Sequence, residues 1–139
     1  MTKQQLEKLY SEGRAPTPAQ ILGPGMPTTE WRVNMLTGPI PDMGGWPLRH
    51  RKRFHRGYGR NVLLRDTEWG RFDCFYGFHS STDCLMLDYG GSGGNGRLTS
   101  RIRDFVRTTP DPDVLLGKFF FLWRGKLRGG WFFKLTRAK

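Results

Sequence analysis

The chain has 139 residues, a formal net charge of +11, two cysteines, 37% apolar residues and 14% aromatic residues. That length suits one domain, and the aromatic content excludes a disordered chain. Two thiols exclude a disulfide framework, and no apolar run reaches the length of a membrane-spanning helix. The polar start, Met1 to Gly13, lacks the apolar core of a secretory signal. The chain therefore reads as cytoplasmic, with reduced thiols.

In chain order, Thr2 to Tyr10 reads as a short helix. Thr2 and Gln5 form a capping box, and Leu6, Leu9 and Tyr10 make one apolar stripe. A second short helix follows at Thr17 to Gly23, with Thr17 as cap, Pro18 as first helical residue and Gly23 as stop. Neither is long enough to stand alone, so both are expected to pack on a sheet.

From Glu30 the period changes to two: Trp31, Val33 and Met35 alternate with Arg32, Asn34 and Leu36. An irregular stretch, Thr37 to Trp46, precedes the basic run Arg49 to Arg56. Tyr58 to Arg65 is the next strand, Asp66 to Gly70 a turn, and Arg71 to Phe78 with Asp83 to Tyr89 a hairpin around His79 to Thr82. Gly90 to Gly96 is a glycine-rich connection, with a lid over a barrel mouth as its functional reading. Leu98 to Thr108 fits helix and strand patterns; its place between hairpins favours a strand, with Ile102, Asp104 and Val106 on one face.

The last quarter carries the clearest pattern. Val114 to Trp123 and Trp131 to Arg137 flank a basic, glycine-containing turn, Arg124 to Gly130, and read as a hairpin. Pairing Phe121 with Phe133 sets Phe119 opposite Leu135 and Trp123 opposite Trp131, all on one face. The other face, with Phe120, Leu122 and Phe132, needs the helices or a second subunit to cover it. The fold expected is all-β and mainly antiparallel: one closed or nearly closed barrel of about seven or eight strands over residues 30–139. Residues 1–29 form a helical segment packed on it.

Gly45-Trp46, Arg51-Lys52-Arg53-Phe54, Ile102 to Arg107 and Leu115-Leu116-Gly117-Lys118 together resemble small bacterial lipocalin-like (calycin-type) barrels, among them those with a Gly-x-Trp-x-Gly signature. The resemblance implies a barrel for hydrophobic ligands and supplies no catalytic residues.

Several groups are candidates for chemistry. Period two places Arg49, Arg51, Arg53 and His55 on one face, as a clamp for an acidic head group at a barrel mouth or as a phosphate-binding strip. The bland alternative is a charged edge that discourages strand pairing. His50, His55 and Asp104 are the acid–base candidates, against surface histidines and a structural Asp–Arg brace. Asp104 needs a partner if it points inward. Cys74 and Cys84 fall opposite or nearly so, as free thiols. Histidine and cysteine spacings match no metal motif, and no cofactor is called for.

Three functions follow. The first is binding of a small hydrophobic or amphipathic ligand lined by Trp31, Tyr76, Phe119, Phe121, Trp123, Trp131 and Phe133, with Arg51 and Arg53 orienting an acidic head. The second is an isomerase- or cyclase-type enzyme on the same barrel, which convergent polar groups with shifted pKa values favour. The third is nucleic-acid binding through residues 49–60. A homodimer is compatible with each.

Overall fold

A computed structural model describes residues 1–91 and 95–138. The proposed lid, Gly90 to Gly96, therefore lies partly outside the described residues.

Eight strands form one closed antiparallel barrel, each pairing with its neighbours in sequence. They are β1 (Thr29–Met35), β2 (Arg51–Phe54), β3 (Tyr58–Leu63), β4 (Thr67–His79), β5 (Thr82–Asp88), β6 (Ile102–Thr108), β7 (Val114–Trp123) and β8 (Lys126–Arg137). β1 closes the ring on β8, from Trp31 opposite Arg137 to Met35 opposite Phe133. Closure leaves no unpaired edge, which a strongly twisted sheet of this size otherwise exposes.

Period-two alternation selects the interior. Trp31, Val33, Phe54, Phe72, Leu85, Leu87, Val106, Leu115, Phe133 and Leu135 form one buried cluster. Gly117 faces Phe133 across β7 and β8, and any Cβ there would enter the Phe133 ring.

Two glycine bulges adjust this alternation. Asn61 pairs with Trp69 while Arg60 pairs with Arg71, so Gly70, at φ +60°, is extra in β4. The added residue flips the side-chain parity. It turns Trp69 inward, onto the same face as Phe72. A second shift lies between Phe119 and Phe120, opposite the positive-φ pair Gly129 and Gly130.

The last hairpin departs from the expected register. Phe119 pairs with Trp131, Gly117 with Phe133, Leu115 with Leu135, and Trp123 with Lys126. The turn is only Arg124-Gly125, with φ 50° and 75°. Two positive-φ residues make the hairpin connection that matches strand twist, and that turn sets the register. From Leu115 to Phe119 the slide is four positions, an even number, so the expected inward face survives there; beyond the Gly129–Gly130 bulge it becomes five.

The helices are α1 (Lys3–Ser11) and α2 (Pro18–Leu22), with the expected caps at Thr2 and Thr17. α1 lies on the outer wall, where Leu6 and Tyr10 bury Leu116 and Phe132. Tyr10 Oη donates to Phe105 O at 3.1 Å, and Arg107 Nη1 donates to Tyr10 O at 2.9 Å. α2 packs Ile21 into the interior cluster near the start of β1, where the Trp31 indole N–H donates to Ile21 O at 3.0 Å. None of the helices in the described residues is long and apolar enough to cross a membrane.

Candidate functional site

The connections β1–β2, β3–β4, β5–β6 and β7–β8 gather at one end of the barrel, away from α2. The β1–β2 loop, residues 36–50, folds back over this end. The Asp42 carboxylate organises it, accepting from Met35 N (3.2 Å), Gly44 N (3.0 Å) and the Asn34 amide (3.2 Å). Partial burial works against the Asp42 charge, but these donors hold its pKa below the ordinary value. Gly38, at φ +88°, lies against the Trp131 indole, where a Cβ would collide.

Beneath the loop is a cavity of about 210 Å³. Its apolar wall includes Val33, Met35, Ile40, Met43, Ile102, Phe119 and Phe133, with Trp69 beside them. An adjoining apolar groove of about 440 Å³ runs along Phe121, Trp123, Trp131 and Leu98, sharing Ile40, Ile102 and Phe119 with the cavity.

Five polar side chains also line this cavity: His50, Lys52, Asn61, Tyr89 and Asp104. Alternation explains them. Phe54 points inward on β2, so Lys52 must as well; Ile102 and Val106 point inward on β6, so Asp104 lies between them. Lys52 and Asp104 are 4% and 1% exposed. Burying charges this deeply requires compensation.

The compensation is a connected network. Lys52 Nζ reaches Tyr89 Oη at 2.6 Å, Asn61 Oδ1 at 2.9 Å and Asp104 Oδ2 at 3.3 Å. Asn61 Nδ2 donates to Tyr89 Oη at 2.9 Å and to Gly70 O at 3.1 Å, so the Gly70 bulge also supplies an acceptor. Tyr89 Oη donates to Asp104 Oδ2 at 3.4 Å. His50 Nε2 sits 2.8 Å from Asn61 Oδ1. Because Asn61 Nδ2 is committed as a donor, Oδ1 is the acceptor, and His50 carries its proton on Nε2. Asp104 Oδ1 is buried and has no hydrogen-bond partner among the described residues.

Burial dominates the titration of each group. It lowers Lys52 against the opposing pull of Asp104, and raises Asp104 against that of Lys52. Tyr89 is held far above its usual value by burial and the nearby carboxylate. Burial, assisted by the Lys52 ammonium, pushes His50 down to about 4. Its ring is therefore neutral at pH 7.

The structure distributes the sequence-derived candidates unevenly. His50, Asp104, Phe119 and Phe133 meet at the cavity, and Phe121, Trp123 and Trp131 line the groove. Trp31 instead fills the core beside α2, under the Arg137 guanidinium at 4.3 Å. Tyr76 packs against the core cluster rather than lining the cavity. His55 stacks on Tyr58 at 4.7 Å in the β2–β3 turn, at the far end of the barrel.

Arg51 and Arg53 are on the outer wall, because inward-pointing Phe54 forces odd positions out. They pair with Glu30 at 3.1 and 2.7 Å, and Arg53 also with Asp66 and Glu68. The head-group clamp expected at the mouth is thus an exterior ionic cluster. Cys74 and Cys84 are free but not opposite: Cys74 pairs with Leu87 and Cys84 with Gly77, on opposite faces of the sheet. Burial pushes both thiols up to about 12.

Lys52, Asn61, Trp69 and Tyr89 are site residues that the sequence reading does not single out. For Lys52 a signal exists, since it shares a face with Phe54. Trp69 depends on the Gly70 bulge, which no period shows, whereas Tyr89 continues the inward alternation of Leu85 and Leu87. Compared with known protein families, characterised proteins and solved structures, the chain gives no match.

Proposed function

We propose that this protein binds a small hydrophobic or amphipathic molecule in the open end of its barrel, as a lipocalin-like module. The observation that carries the reading is a mainly apolar cavity with a few convergent polar groups, the common composition of a ligand site. Its 210 Å³ is below the usual range for drug-sized ligands. The ligand is accordingly compact, or extends along the groove over Phe121 and Trp131. Arg51 and Arg53 take no part, since Glu30, Asp66 and Glu68 pair with them outside the wall.

Native mass spectrometry of protein purified from cells tests this. A small molecule retained by the native protein and lost in Met35→Trp, which plugs the cavity wall, is the expected result. Identical masses for protein and variant beyond the substitution, with no apolar probe bound by either, refute it.

A second reading is proton-transfer catalysis on the bound molecule by His50 or Asp104. The convergence of five polar side chains, four of them titratable with displaced pKa values, favours it. Nucleic-acid binding through residues 49–60 ranks below both. Lys52 of that run is inside the barrel, and Arg51 and Arg53 are already paired.

A further inference from the structure

We infer that the floor of the cavity recognises a hydrogen-bond donor on its ligand, an uncharged hydroxyl or N–H group, through Asp104 Oδ1. The inference rests on the binding function proposed above and specifies its ligand class.

Donors and acceptors in the network do not balance. The Lys52 ammonium has three N–H groups, and three acceptors surround it: Tyr89 Oη, Asn61 Oδ1 and Asp104 Oδ2. Asn61 Nδ2 has two, given to Gly70 O and Tyr89 Oη. Tyr89 has one, directed at Asp104 Oδ2. His50, as the Nε2 tautomer, gives its one ring proton to Asn61 Oδ1. Every donor in the network is spent.

The acceptors are not. Asp104 Oδ1 stands unpartnered among the described residues in a carboxylate that is 1% exposed, and Asp104 is one of the residues around the cavity. The ion-pair form of Lys52 and Asp104 uses all three ammonium hydrogens. Moving a proton along the Nζ–Oδ2 contact would let Asp104 Oδ2–H donate to the neutral Lys52 amine, which keeps two hydrogens for Tyr89 Oη and Asn61 Oδ1. In the ion pair and in the neutral pair alike, Oδ1 is the acceptor left without a donor.

A buried acceptor without a donor discriminates strongly in a dry site. A hydroxyl or N–H makes a hydrogen bond there, charge-assisted where Asp104 is ionised. An ether or hydrocarbon of the same shape leaves the oxygen unpaired, and a carboxylate offers no donor. This reverses the preference for acidic ligands that the basic sequence suggests.

Isothermal titration with 1-naphthol, 1-methoxynaphthalene and 1-naphthoate at pH 7 tests the point on one ring system. A hydrogen bond to a charged group contributes about 1.5–3 kcal/mol, roughly 10–100-fold in affinity. The naphthol is expected to bind at least tenfold more tightly than the ether, and the naphthoate more weakly than either. In the double variant Lys52→Met/Asp104→Leu, the naphthol-to-ether affinity ratio should fall to about one, with folding checked by urea unfolding. A wild-type crystal with 1-naphthol reads the same contact without a variant: the hydroxyl oxygen should lie about 2.5–2.7 Å from Asp104 Oδ1.

Equal affinities for naphthol and ether, a preference for the naphthoate, or a naphthol preference that persists in the double variant overturns the inference while leaving ligand binding intact. Failure of all three probes to bind overturns the binding function and the inference with it.

Discussion

Removing Lys52 alone should cost far more than removing it together with Asp104. In Lys52→Met, Asp104 remains 1% exposed and keeps only the long 3.4 Å hydrogen bond from Tyr89. Asn61 Oδ1 and Tyr89 Oη each lose a donor at 2.9 and 2.6 Å. Breaking a buried ion pair in this way costs about 3–5 kcal/mol. For a chain of this size the melting temperature should fall on the order of 10–20 °C. The double variant Lys52→Met/Asp104→Leu removes both charges and fills similar volume, so its stability should lie within about 1 kcal/mol of the native protein or above it.

Urea unfolding followed by tryptophan fluorescence measures all three, with an unchanged m-value confirming a common unfolding reaction. The cost in Lys52→Met also has a sign with pH. Burial already raises Asp104, and the Lys52 charge is the main influence lowering it. Without Lys52 the folded protein holds that proton to higher pH than the unfolded chain does. Its stability therefore falls as pH rises, and the variant should be closer to native at pH 5 than at pH 8. A Lys52→Met cost below about 1 kcal/mol, or a double variant no more stable than Lys52→Met, would refute this account of the buried pair.

Other consequences follow from the same geometry. His50 ionises near 4 in the fold against an ordinary value of 6.5, so its contribution is complete above pH 6.5 and lost as pH falls towards 4, about 3 kcal/mol in all. His50→Gln, which keeps a donor for Asn61, should flatten the stability profile over that range by about one proton; an unchanged profile means His50 is not buried neutral. Gly117→Ala drives a Cβ into the Phe133 ring and should cost about 1–3 kcal/mol by overpacking, measured by thermal melting; a neutral result contradicts the β7–β8 register. Arg53→Ala removes an outer-wall ion pair, so stability should change by less than about 1 kcal/mol. Naphthol titration of that variant should match the native protein, whereas a large loss of affinity would return Arg53 to the binding site.

Much of the fold is legible in the residues. The caps at Thr2 and Thr17, the strand alternation around Trp31, Ile102 and Phe119, and the inward position of Asp104 all follow from local chemistry and a period of two. These constraints act between near neighbours, so a linear pattern carries them. The requirement that Asp104 find a partner is equally plain, because an isolated buried carboxylate is too costly to keep.

Which partner it finds is a property of the closed barrel. Lys52 and Asp104 are on β2 and β6, separated in sequence by three intervening strands, and only ring closure with the Gly70 bulge brings them together with Asn61, Tyr89 and His50. The same closure sends Trp31 into the core, His55 to the far end, and Arg51 and Arg53 onto Glu30 outside. A sequence states which residues alternate; long-range pairing decides which of them share an interior, and that sharing creates both the cavity and its unpaired oxygen.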